Sequence, residues 1–593
     1  MNQETRICQN CRSQFTIEPE DFKFYEKIKV PPPTFCYLCR AQRRFAFRNE
    51  RGLYKRKSDH SGEEIFSMYS PQSPVKIYEN KVWYSDTWDP LDYGRDVDFS
   101  RPFLEQLGEL FREVPRSALS TILLENSDYS NNATGLKNCY FLFNSNYSED
   151  SAYGNGVDSS RDIFDSSHVN HSERVYEGFW LTKCAGIFFS SQCENCLEVY
   201  FSKNLRGCNN CFGCTNLVNK SYHIFNEPYS KEEYEKKLKE FNLGSYRNKT
   251  LLRERAKKFW LGFPNKFYEG IKNSNVSGEY IFHSKNVKDS YLVREGKDLR
   301  YCQYLQVPAN ENCYDHSMWG NNNYLTYECS VCGNGTNNIR FCAACWEDVK
   351  NLEYCTECRS SSDSFGCTSL RKKQYCVLNK QYSKEEYETL VSRIKKHMNE
   401  IPYKDKKGRV YKYGEFLPPE LSPYGYNETI ALEHFPLTKE AAIEAGYNWY
   451  DEPQKDYKIS MESKELPDHI DEVTEDILQH IIGCEHKGNC EGRCTTAFRI
   501  TSQEFNFYKK FGLPLPRLCP NCRHHRRIAQ RSKLDLWHRK CQCTGATSEN
   551  GAYKNTVTHH HGAGKCPNEF ETTYPPNGKE IVYCEQCYNA EMV

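Results

Sequence analysis

The sequence predicts a mostly β fold with some α: two small cysteine-built modules, one at each end, flank two tandem parallel β-solenoid segments, each closed by a helix. Three observations predict it. Residues 36–56 lie on residues 519–539 without a gap when shifted by 483 positions, so the two ends carry the same short pattern. Between them, short polar–aromatic units recur at a near-constant interval, as in NIRFCAAC from Asn338 and NLEYCTEC from Asn351, the mark of stacked coils. The composition, with 31 Cys, 42 Tyr and 33 Phe, favours strands over helices and fits ligand or core cysteines.

The end modules come first. Cys36/Cys39 fall on Cys519/Cys522, Cys11 on Cys494, and Phe22-x-Phe24-Tyr25 on Phe505-x-Phe507-Tyr508. Two C-x2-C pairs separated by a gap give four thiolates at tetrahedral positions, which is zinc-ligand spacing. The N-terminal set is Cys8, Cys11, Cys36 and Cys39. The C-terminal set is Cys494, Cys519, Cys522 and Cys490, with Cys484 and His486 competing for the fourth place. A second C-terminal set reads Cys541, Cys543, Cys584 and Cys587, with His559, His560, His561 and Cys566 as alternative ligands. In the N-terminal copy Ser58, His60, Glu79 and Val82 stand at those four positions, so that subdomain is expected to keep its shape without a second metal. The cofactor expectation is about three structural Zn2+.

Behind each second pair runs a cationic row. Arg40, Arg43, Arg44, Arg48 and Arg51 recur at helical intervals, and Arg523, Arg526, Arg527 and Arg531 repeat the pattern. The chain as a whole is neutral, 79 basic against 79 acidic residues, so the charge is local. With Phe45, Phe47, Tyr54 and Trp537 among them, these rows suggest phosphate contact and base stacking. The bland alternative is that the arginines pair with the protein's own acids, and residues 451–476 offer an acidic strip for it.

The modules resemble zinc-ribbon (treble-clef) domains, with C-x2-C, an F-x-I segment, an aromatic FY step and P-x-x-C-x2-C-R. The whole chain is similar to large zinc-ribbon proteins of small-genome bacteria through FYEKIKVPPPTFC, AFRNERGLYKR, WDPLDYGRDVDFSRPF, KNCYFLF, CFGCTNLVNKSY and NEFETTYPPNGKEIVYCEQCYNAE. That resemblance implies zinc and this layout, and no activity.

In chain order, residues 1–98 are the N-terminal module and 99–229 a helix followed by the first solenoid. A helical insert (230–279) leads to the second solenoid (280–382), a helical and acidic connector (383–483) and the C-terminal double module (484–593). Ser100 to Val114 reads as one helix capped by Ser100 and stopped by Pro115. In the first solenoid the anchors are Asn138, Asp150, Asp162, Glu173, Cys184, Asn195 and Gly207, and one coil is either one repeat or two. Phe212-Gly213-Cys214-Thr215 lies on Phe365-Gly366-Cys367-Thr368, an internal duplication, and both solenoids end in capping boxes, Ser230…Glu233 and Ser383…Glu386. Cys329/Cys332, Cys342/Cys345 and Cys355/Cys358 have zinc spacing, but the coil period explains them as buried cysteine columns. A helix is expected from about Asp468 to Gly483.

The start MNQETRICQNC lacks an apolar run, and no stretch reaches membrane-spanning length, so a cytoplasmic protein with reduced cysteines is expected. There is no P-loop, no G-x-G-x-x-G after a strand, no H-E-x-x-H and no G-x-S-x-G. The expectation is a non-enzymatic zinc protein that binds RNA or a ribonucleoprotein through the arginine rows. The rival is a protein-interaction scaffold on the solenoids. The third option is a carbohydrate-active enzyme using carboxylates such as Asp158, Asp162 and Asp165 on a solenoid face.

Overall fold

In the computed structural model, which describes residues 2–453, 456–490 and 492–592, every third residue from Asn132 to Phe225 has a positive φ, between 46° and 69°. Asn, Asp and Gly take many of these corners, and none is Val, Ile or Thr, whose branched Cβ resists this conformation. The residue after each corner points inward. These are Ala133, Leu136, Cys139, Leu142, Val157, Ile163 and their successors, with serines between. Each triplet is one short side, and four triplets close a coil. Asn155 stands on Ser167 and Arg161 on Glu173, so each coil takes four triplets of chain. One repeat is therefore one coil. The spacing is strict, with true corners at Arg174 and Gly186 beside the anchors Glu173 and Cys184.

Such a narrow coil takes aliphatic side chains up to Leu and Ile together with Ser and Cys, and the serines and cysteines also close the backbone's hydrogen bonds. Ser166 Oγ donates to Phe164 O (2.8 Å) and accepts from Gly178 N–H one coil on (2.9 Å). Cys214 does the same with Phe212 O (3.4 Å) and Asn226 N–H (3.4 Å). Ser166→Ala orphans a buried N–H and is expected to cost about 1–3 kcal/mol in urea unfolding, while Ser166→Cys should recover most of it. Loss of less than about 0.5 kcal/mol in the alanine variant would show that the inner hydroxyls are fillers.

The second solenoid, from Gly270 to Gln381, is looser. Lys285 pairs with Lys297, Lys297 with Glu311, Glu311 with Tyr324, Tyr324 with Asn337 and Asn337 with Lys350, so the coils between Lys297 and Lys350 exceed four triplets by one or two positions, and the register returns to four triplets from Lys350 to Ser362. The longer coils place two successive residues in the left-handed region, as at Asn334/Gly335 and Glu347/Asp348. Here the cysteine pairs stand in buried columns: Cys342 Sγ donates to Arg340 O (3.2 Å) and Cys355 Sγ to Glu353 O (3.4 Å).

The chain divides into two units, each discontinuous in sequence: residues 1–119, 268–451 and 533–536 form one, and residues 120–267, 452–532 and 537–593 the other. Unit 1 thus joins the N-terminal module to the second solenoid, and unit 2 joins the C-terminal module to the first. In unit 1, Phe24 stacks on Tyr314 at 3.9 Å between ring centres. In unit 2, Phe507, which lies on Phe24 at the shift of 483, stacks on Phe164 at 4.2 Å. Each module's aromatic helix therefore shares a core with solenoid rings.

The closing helices form as Lys231–Glu240 and Lys384–Glu400, both with complete capping boxes. Two expected helices differ. The first spans Phe103–Glu113 with Pro102 at its N-cap, because Ser100 Oγ donates to Asp98 instead. From Asp468 onward there are only 3-10 turns at Ile470–Glu472 and Glu475–Gln479. The backbone there bonds outward: Tyr246 N–H donates to Asp468 O (2.9 Å) and Ile470 N–H to Gly244 O (3.0 Å). No helix among the described residues is long and apolar enough to cross a membrane.

Candidate metal centres

At the N-terminus a hairpin, Glu4–Ile7 with Gln14–Ile17, carries Cys8 and Cys11 at its turn. Cys36 is the N-cap of the helix Tyr37–Phe45, and Cys39 lies in its first turn. The four sulfurs come within 4.8 Å of one another. Cys11 Sγ and Cys36 Sγ are 3.7 Å apart, close to the edge of about 3.8 Å that a tetrahedron with 2.3 Å Zn–S bonds requires. Cys8 Sγ accepts from Cys36 N–H (3.3 Å) and Cys39 Sγ from Asn10 Nδ2–H (3.2 Å), hydrogen bonds that favour thiolate.

The C-terminal counterpart corrects the fourth ligand. Cys484, Cys494, Cys519 and Cys522 form the four-sulfur group, and Cys484 takes the place that spacing gives to Cys490. Cys519 N–H donates to Cys484 Sγ at 3.3 Å, matching Cys36 to Cys8. The turn is longer here, so the ligand lies well upstream of Cys494 instead of one tight turn before it. Cys490 stays close, 3.6 Å from Cys522 Sγ, in a second grouping with His486 and Cys522.

The far C-terminal set is also rearranged. Cys541, Cys566, Cys584 and Cys587 converge, so Cys566 stands where the spacing expects Cys543. Cys543 belongs to a different group with His559, His561 and Cys587. The Cys541 thiol draws the pKa of Cys584 down to about 4, and Cys584 also accepts from Asn568 Nδ2–H (3.2 Å). The reason for the mismatch is the hairpin loop. Between strands Tyr54–Lys57 and Glu64–Ser67 the N-terminal copy has a tight turn, whereas between Trp537–Lys540 and Glu569–Thr572 the loop spans residues 541–568. That insertion brings His559, His561 and Cys566, and its signal in the sequence is the run HHH-x4-C, absent from the first copy. In the first copy Ser58 Oγ donates to Glu79, with His60 Nδ1 3.6 Å from the same carboxylate.

The arginine rows are the largest correction. The helix Tyr37–Phe45 lies against the second solenoid, and Arg40, Arg43 and Arg44 are at most 2% exposed. Arg40 pairs with Asp315 (2.8 Å), Arg43 with Glu328 (2.9 Å), and Arg44 with both Asp315 (3.1 Å) and Glu328 (2.8 Å). Glu415 adds a further oxygen 3.4 Å from Arg43. Burial pushes the Asp315 carboxyl up against the pull of Arg40 and Arg44. Glu328, equally buried, is held below the usual range by Arg43, Arg44 and Arg40. Arg48, also buried, pairs with Glu50 (3.1 Å).

Unit 2 repeats the latch. Arg523 meets Asp165 (2.5 Å) and Glu504 (3.2 Å), and Arg527 meets Asp165 (2.8 Å) and donates to Tyr153 O (2.9 Å). Arg526 pairs with Glu177 (3.0 Å), which Arg253 holds from the other side (2.5 Å). Asp165, Glu177, Asp315 and Glu328 are all left-handed corner residues, so the coil geometry itself aims them outward at the modules. The guanidinium groups of Arg40, Arg43, Arg44, Arg523 and Arg527 are buried and paired within their own units, while Arg526 is paired but 36% exposed. Arg51, Arg531 and Trp537 are half-buried outside the docked helices. The acidic strip is not the arginine rows' partner: among its described residues Glu452 pairs with Arg493, and Leu466 O and Pro467 O accept from Arg517. Asp165, one of the carboxylates the third option would use, is a latch residue, and Asp158 accepts from Asn146 N–H and Nδ2–H (both 2.9 Å).

Fold and site define a class: a β-solenoid protein with four-cysteine, metal-competent modules docked on the coils. No family model matches this chain, and no curated protein matches it. A solved structure described as a "putative acetyltransferase" from Desulfovibrio desulfuricans G20 aligns with 50% of this chain and 87% of its own, at 9% identity and a TM-score of 0.10, a likeness too low to carry fold or function across.

Proposed function

We propose that this is a non-enzymatic, cytoplasmic scaffold of the large zinc-ribbon type, in which Zn2+ in closed four-cysteine sites is structural and the solenoid faces bind a protein partner. The carrying observation is the fate of the arginines: the residues that suggested nucleic acid are buried ion-pair partners of Asp315, Glu328, Asp165 and Glu504. A four-thiolate zinc has no open position for water or substrate, so the ions supply folding energy rather than chemistry. What remains open is solenoid surface. In unit 2 a groove of about 900 Å³ runs along one corner, lined by Tyr147, Arg161, His171, Glu173, Lys183 and Leu197. Tyr147 is 66% exposed and Leu197 42%, apolar anchors among mixed charges.

The test is affinity purification of the full-length protein from its own cells after lysine cross-linking. A protein cross-linked at Lys183, and lost in a Tyr147→Glu/Leu197→Glu variant, is the expected result. Recovery of RNA whose binding weakens steeply with salt would contradict it.

A further inference from the structure

We propose that the far C-terminal module holds two metal ions bridged by the thiolate of Cys587. One lies among Cys541, Cys566, Cys584 and Cys587, and the other among Cys543, His559, His561 and Cys587. The proposal deepens the structural-zinc reading and rests on it.

Each of the two groups has four ligand atoms within 4.8 Å of one another, and Cys587 Sγ belongs to both. The first group supplies four sulfurs, with Cys566 Sγ 3.9 Å from Cys584 Sγ, again near the edge of a zinc tetrahedron. The second supplies two sulfurs and two imidazoles, with His561 Nε2 3.4 Å from Cys587 Sγ.

The histidines are prepared as ligands. A metal-bound imidazole donates its other N–H to a carboxylate or carbonyl, which fixes the tautomer and aims the lone pair. His559 Nε2–H donates to Glu591 Oε1 (2.9 Å), both side chains fully buried. Glu591 is itself held by Thr556 N–H (2.9 Å) and Tyr553 OH (3.0 Å). His559 Nδ1 is left buried with no hydrogen-bond partner. His561 Nδ1–H donates to Gly564 O (2.9 Å), leaving Nε2 facing Cys587. Asn555 Nδ2–H donates to Cys543 Sγ (3.3 Å), as Asn568 does to Cys584.

Charge points the same way. The two groups contain five cysteines, Cys541, Cys543, Cys566, Cys584 and Cys587. With two divalent ions, five thiolates leave one net negative charge. One ion in the four-sulfur group alone would leave the fully buried Cys543 and the orphaned His559 Nδ1 without a function. Mixed sulfur and imidazole donors in tetrahedral sets suit Zn2+. Two ions sharing one sulfur lie no more than about 4.6 Å apart, twice the Zn–S bond. The first copy of the module places Val82 where Cys587 stands and keeps a tight turn in place of the histidine loop, so it has no counterpart.

The test is native mass spectrometry of the full-length protein made in zinc-replete medium. Four zinc ions are expected: one in each four-cysteine module at the two ends and two in the bridged pair. Cys543→Ser/His561→Asn should bind three, or two if the pair assembles as a unit, while His486→Asn should still bind four. Three ions in the parent protein, or four in the Cys543→Ser/His561→Asn variant, would overturn the bridged pair and leave the structural-zinc reading intact. No bound zinc in the parent would overturn both.

Discussion

Removing zinc from the full-length protein with a strong chelator is expected to open both end modules to protease while the coils keep their β signal. Each four-thiolate site contributes on the order of 10 kcal/mol or more to a domain with little core of its own. Without the metal only a few hydrogen bonds, such as Gln9 N–H to Thr34 O (3.1 Å), hold the turn at Cys8 and Cys11 to the segment that leads into the helix after Cys36, because the sulfurs are their main shared point. The coils differ. Their stability comes from inward Val, Leu, Ile, Ser and Cys and from a backbone ladder that pairs each coil with the next. Cleavage should appear within residues 8–57 and 484–540, reverse on adding Zn2+, and ignore Mg2+. Equal resistance with and without metal would contradict the assignment.

Arg44→Met is expected to cost about 3–5 kcal/mol, the range for breaking a buried ion pair by removing one partner. The side chain is fully buried, and its loss strands Asp315 and Glu328 with one cation fewer between them. Arg523→Met should act in the same way through Asp165 and Glu504 in unit 2. Arg161→Met is the control, since that side chain is 58% exposed and its ion pair is long. The readout is hydrogen exchange in the helices Tyr37–Phe45 and Pro520–Ile528, where the latch variants should open far more often than the control. A latch variant that exchanges like the parent would show that the pairs hold nothing in place.

How much of this is legible in the sequence follows from distance along the chain. Cys8 to Cys39, the aromatic FY step and the capping boxes at Ser230 and Ser383 are local patterns, and the structure forms them where expected. Coil length is not legible, because a short period permits one repeat or two per coil, and only the strand register, Asn155 on Ser167, decides. The arginine rows mislead because their partners are remote: Arg44 to Asp315 spans 271 residues and Arg527 to Asp165 spans 362. A buried latch and a phosphate-binding stripe have the same spacing on a helix, and composition cannot separate them. Spacing ranks Cys484 and Cys566 below Cys490 and Cys543 for a related reason. Both belong to loops that are longer than in the first copy, so the shift of 483 that aligns the second pairs does not locate them.

Arginine modification by phenylglyoxal, mapped by peptide mass spectrometry on the zinc-loaded protein, tests the central claim most directly. Arg40, Arg43, Arg44, Arg523 and Arg527 should stay unmodified while the exposed Arg161 reacts, and all five should become reactive once zinc is withdrawn. Reaction of those five at the rate of Arg161 in the zinc-loaded protein would mean that the cationic rows face solvent, and the docked-module account would fail.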